Sequence, residues 1–156
     1  MDEHDYVDKL FAFYNEQVEH ARHHEVMRAE ATNYILVGST GLIGLLSAAT
    51  VFGATWDFRS RVIIAGVIAV LNAYGILLSY KHYERNRLHV SIARKYRAEI
   101  SERCVASGFP APNEMREAGR TRSEKKYPCT SRIRLHVLWM SLHAIFILIA
   151  LALTQI

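Results

Sequence analysis

Residues 33–54 read NYILVGSTGLIGLLSAATVFGA, with no acidic or basic side chain in the run. A helix crosses the ~30 Å hydrocarbon core of a bilayer with roughly 20 mostly apolar residues, so this stretch is long enough to span. Two further runs match it, 62–80 and 135–156. Extended to their flanking charges, the three runs hold 67 of the 156 residues, and all 34 charged side chains crowd into the other 89. The mean hydropathy of +0.03 averages these two opposite populations. A soluble helical bundle would keep a charged face on each helix, and these runs have none. A cleavable signal peptide is also a poor fit, because the first apolar run starts late and follows an acidic leader.

The positions of Lys and Arg set the expected orientation, since these residues concentrate in cytoplasmic loops. With three crossings, residues 1–32 and 81–134 share one side, which carries 17 of the 19 basic residues and is assigned to the cytoplasm. The turn 55–61 and the C-terminus then face outward. Trp56 and Phe58 at the outer edge, with Tyr34, Tyr80, Tyr83 and Trp139 at the inner edge, suit interfacial aromatic belts. Cys104 and Cys129 both fall on the cytoplasmic side, where reduced thiols are expected.

The helices should continue past the membrane. Residues 5–32 hold no Gly or Pro, and Tyr6, Leu10, Phe13, Tyr14, Val18 and Ala21 recur at helical spacing. Leu88, Ile92, Tyr96 and Ile100 form a stripe spaced by fours beyond the second span. The expected fold is therefore an all-α integral membrane protein with three transmembrane helices, the first two extending as a long cytoplasmic helical hairpin. Its segments are an acidic amphipathic helix 1–32, spans at 33–54 and 62–80 joined by the turn 55–61, a basic extension 81–107, a polar linker 108–131 and a third span within 132–156. Gly108 and the prolines after it should end the second helix. A short helix to Ala118, closed by Gly119, is expected in the linker, and Ser131 should cap the third span.

Residues 1–32 carry a net charge of −5 and residues 81–134 carry +8. Surface ion pairs contribute only ~0–1 kcal/mol each, so the apolar stripes must hold the two extensions together and the charges set their register. The surplus positive charge points to anionic lipid headgroups as a partner. Nucleic acid is not expected, because no recognition motif accompanies the charge.

Within the spans, Gly38, Gly41 and Gly44 line the first, and Ala65, Ala69 and Ala73 stand four apart in the second. Small residues let helices approach closely in lipid, so these positions are the candidate surfaces for helix packing and homo-oligomerisation. The polar residues at depth are Thr40, Ser47, Thr50, Asn72, Ser79, Ser141 and His143, with Asn72 and His143 the most notable. No Asp, Glu, Lys or Arg lies there, which argues against an ion-coupled transporter or a voltage sensor.

The sharpest local cluster is histidine-rich. His20 and His24 share one helix face, and His82 and His89, seven apart, share another. Imidazoles beside carboxylates suit a metal site or a pH-responsive contact, although Arg22, Arg28, Arg85 and Arg87 disfavour a cation. No helical metalloprotease or di-iron motif is present, so no catalytic residue and no cofactor are expected.

The same stretches carry a resemblance. HARHHEVMR at 20–28 running into NYIL at 33–36, and LSYKHYERNRLH at 78–89 with ARKYR at 93–97, resemble the RipA-like octameric membrane protein family of small bacterial inner-membrane proteins. The resemblance spans about residues 16–104 and implies an inner-membrane homo-oligomer of eight subunits. The leading expectation is a non-enzymatic scaffold or pore-like assembly, of which a stress or defence effector is one version. The alternative is a metal-binding or pH-sensing membrane regulator using His20, His24, His82 and His89.

Overall fold

A computed structural model of the chain describes residues 3–51, 56–108, 112–127 and 134–155. They form four helices: α1 Glu3–Val51, α2 Phe58–Ala106, α3 Pro112–Lys126 and α4 Leu135–Leu153, and no strand occurs among the described residues. α1, α2 and α4 are each long and apolar enough to cross a membrane. The expected spans fall on these three helices, while residues 52–55 and the proposed cap Ser131 lie outside the described residues, as does Cys129.

The helix ends follow from local chemistry. Asp57 caps α2: its Oδ2 accepts from the backbone N–H of Ser60 at 3.4 Å, and its carbonyl accepts from Arg61 at 3.2 Å. A hydrogen bond from the Ser60 side chain, and after it the backbone N–H of Ser60, favour the carboxylate and hold the Asp57 pKa below its usual value. At the other end Gly108 takes a left-handed φ of 83°, a conformation only glycine adopts cheaply, and its N–H bonds the Val105 carbonyl at 3.0 Å. The expectation that Gly119 closes the linker helix needs correction, because α3 runs past it to Lys126. One interior glycine costs about 1 kcal/mol. Offsetting this are Glu114 in the first turn, Lys125 and Lys126 in the last, and an Arg120–Glu124 pair at 2.7 Å.

The chain divides into two compact units, each built from part of α1 and part of α2. In the unit of Met1–Glu25 and Tyr83–Arg134, α1 and α2 run antiparallel. The Arg103 guanidinium sits 4.4 Å over the Tyr6 ring, Phe13 stacks on Tyr96 at 5.8 Å, and Asn86 Nδ2 donates to the Ala21 carbonyl at 2.9 Å. Leu10, Ala21, Ala93 and Ile100 are buried between them. The inward positions of α2, Asn86, His89, Ala93, Tyr96, Ile100 and Arg103, alternate steps of three and four. That is the 3.5-residue period of paired helices. The stripe expected at steps of four drifts around the helix by about 40° per step, and it accordingly leaves Leu88 exposed.

The unit of Val26–His82 and Leu135–Ile156 is inverted relative to a protein in water. Thr32, Ser39, Asn72, Ser79 and His143 are among its buried polar residues, whereas Val37 is 72% exposed, Val70 70% and Leu148 65%. An exposed contiguous apolar surface around a polar interior is costly in water. It suits hydrocarbon, where polar groups must find partners inside the protein. Ala65, Ile68 and Ala150 form its apolar cluster, with Leu42, Ile43 and Ile64 packed on it. Here too α2 faces inward at steps of three and four: Ala65, Ile68, Asn72, Gly75 and Ser79. The alanine series drifts off this line, so Ala65 is buried, Ala69 half-buried and Ala73 exposed.

Candidate functional site

Two polar clusters stand out, one in each unit. The first begins with Asn72, which α2 points inward because it occupies a packing position. Its Nδ2 donates to Ser39 Oγ of α1 at 2.8 Å and to the Ile68 carbonyl at 2.9 Å. With both amide protons spent, Oδ1 is left as an acceptor, and it receives Nδ1 of His143 on α4 at 2.9 Å. The imidazole is thereby fixed in its Nδ1–H tautomer. Nε2 is buried and has no hydrogen-bond partner among the described residues. Asn72 and His143, singled out from sequence as separate polar residues at depth, thus form one network with Ser39, linking three helices.

Gly75 makes room for that ring. A Cβ there would stand 2.7 Å from both Nδ1 and Nε2 of His143 and closer still to Cε1. Sequence spacing does not single out this glycine. The ones it does single out, Gly38, Gly41 and Gly44, lie on the exposed side of α1, where an added Cβ would meet nothing within 4 Å. Two other polar residues of the spans are satisfied within their own helices: Ser47 donates to the Ile43 carbonyl at 3.0 Å and Ser141 to the Leu138 carbonyl at 2.8 Å.

The second cluster is histidine-rich. His89 of α2 stacks on His20 at 5.1 Å and on His24 at 5.5 Å, with ring planes within 29° and 19°. Its Nδ1 donates to Gln17 Oε1 at 2.8 Å, a partner the sequence did not single out. His20 Nε2 lies 3.6 Å from Glu16 on the exposed side, and His23 tilts against His24. Burial, then the neighbouring His20, then Arg85 lower the His89 pKa below 6.5. Three of the four candidate histidines therefore belong together. His82 falls in the other unit, half-buried and engaged in an interaction of its own.

Imidazole lone pairs lie in the ring plane, so stacked rings do not aim them at a common point as a four-coordinate metal requires. Among the described residues, no group of three or more His, Cys, Asp or Glu side chains is arranged to hold a metal ion. The arrangement does allow charge control, because a proton on His89 would sit against His20 and Arg85.

Fold and clusters together define a helical chain with three segments able to cross a membrane, an apolar exterior around one polar network, and a histidine stack in its charged unit. No protein-family model, no curated protein and no solved structure matches the chain.

Proposed function

We propose that this chain is a non-enzymatic, homo-oligomeric protein of the bacterial inner membrane that serves as a scaffold or pore-like assembly. The observation that carries the reading is the inverted unit. Its helices bury Ser39, Asn72 and His143 and turn Val37, Val70 and Leu148 outward, while Gly38, Gly41 and Gly44 present a smooth outer face on α1. In lipid such a face favours close approach of another helix, and a second copy of the chain is the occupant this reading assigns. The resemblance carried by residues 16–104 supports eight copies. The distribution of Lys and Arg supports an N-terminus in the cytoplasm and a C-terminus outside, with anionic headgroups beside the basic segment. The outward Tyr34, Tyr80 and Phe58 suit the interfaces.

Native mass spectrometry of the detergent-solubilised protein tests this. A multiple of the 17.8 kDa chain is expected, falling to smaller species in Gly41→Leu; a wild-type monomer overturns the reading. Dye leakage from liposomes bearing the oligomer separates a pore from a scaffold.

One observation favours a second reading. The His20–His89–His24 stack fits a pH-sensing regulator, in which acidification loosens the pairing of α1 and α2. The groups facing His89 are His20, His24 and Gln17 from α1, with Glu16 beside His20, and Arg85 from its own helix. Stacked rings favour this over the metal-binding form of the same idea.

A further inference from the structure

A cavity of about 290 Å³ lies between α2 and α3, lined by Arg94, Arg97, Arg116, Glu117 and Arg120. Its size is near the ~300 Å³ lower end of small-molecule sites. Four arginines line this one space and repel each other, and the single carboxylate in the wall, Glu117, does not balance their charge. Glu124 engages Arg120 from outside the lining, through Nε at 2.7 Å. Arg94 and Arg116 have no ion pair among the described residues.

Arg97 is fixed in place, its Nη2 donating to Tyr14 Oη at 2.6 Å and its guanidinium 5.2 Å from the centre of that ring. The neighbouring residues on each helix cooperate by spacing. Arg94 and Arg97 are three apart on α2, Arg116 and Arg120 four apart on α3, so each pair projects from one helix face. Guanidinium is the side chain whose planar fork matches phosphate oxygens two at a time.

We propose that this cavity is a binding site for a phosphoryl anion, either free or as the headgroup of an anionic phospholipid. The anion sits among the four guanidiniums and relieves their mutual repulsion, with Arg97 pre-set by Tyr14 and Arg94 and Arg116 as the unpaired contacts. Binding thereby fastens α3 to α2. The site is independent of the oligomer reading, since every residue in it comes from one chain.

The test uses the full-length protein in nanodiscs. In phosphatidylcholine alone, pyrophosphate is titrated calorimetrically. In discs containing phosphatidylglycerol, lipid retained on the protein is measured by native mass spectrometry. Saturable pyrophosphate binding identifies a free anion as the ligand, and retained phosphatidylglycerol without pyrophosphate binding identifies the headgroup. In either arm Arg94→Gln and Arg116→Gln should each weaken binding about tenfold, the loss of one charge-assisted contact, while Lys95→Gln on the same helix leaves it nearly unchanged. Absence of binding in both arms overturns the proposal. So does an equal loss in the Lys95→Gln protein, which would indicate diffuse electrostatic attraction instead of a site.

Discussion

Replacing Gly75 with alanine should destabilise the chain through His143 alone. The new methyl group would stand 2.7 Å from two ring nitrogens, well inside van der Waals contact, and the ring is fully buried. Either the imidazole leaves Asn72 Oδ1 or α2 and α4 separate. Overpacking of this kind costs about 1–3 kcal/mol, and a hydrogen bond lost within the membrane adds ~0.6 kcal/mol, at most ~1.7. The helical preference for Ala over Gly returns about 1 kcal/mol. A net loss of about 1–3 kcal/mol follows. The assay is a double-mutant cycle in detergent micelles, with unfolding followed by circular dichroism in wild type, Gly75→Ala, His143→Ala and the pair. With the ring gone, Gly75→Ala should be neutral or stabilising, giving a coupling energy of about 2 kcal/mol. Equal destabilisation in both backgrounds would refute the packing of His143 on Gly75.

Two other outcomes follow from the charged unit. His89 has a folded-state pKa below 6.5, so the unfolded chain takes up its proton first on acidification. The α1–α2 pairing should keep this contribution above about pH 6.5 and lose it as pH falls through that value, with His89→Gln flattening the unfolding midpoint against pH; a midpoint that rises on acidification contradicts this. Gly108→Ala should cost about 1–2 kcal/mol because a Cβ is unfavourable at a φ of 83°. Faster amide exchange at Ser107 and residue 108 would report it, and unchanged protection would count against the cap.

Much of this architecture is legible in the chain because lipid imposes a simple rule: a helix in hydrocarbon carries no permanent charge, so the three uncharged runs reveal three long helices. Helix pairing is harder to read. Stripes spaced by fours catch Ile100 and Tyr96 but stray to Leu88 and Ala73, since two paired helices keep 3.5 residues per turn along their contact. Among the polar residues, Asn72 and His143 stand out for their cost in a span, yet their partnership needs the register of α2 against α4, which no local pattern encodes. Ser39 and Gly75 look ordinary until that register is known. The histidines are conspicuous in sequence, but whether rings stack or converge on a point depends on rotamers and neighbours such as Gln17. The arginine cavity is hidden most completely, because it forms only where α3 lands on α2.

The proposed topology has the chain cross the membrane three times with residues 1–32 and 81–134 in the cytoplasm. The native thiols test it directly: Cys104, half-buried near the end of α2, and Cys129 are the only cysteines. In spheroplasts, a membrane-impermeant maleimide should leave the wild-type protein unlabelled until the cells are lysed, and should label a Gln155→Cys variant before lysis. Labelling of the wild-type thiols in intact spheroplasts, or protection of position 155 there, would contradict the account.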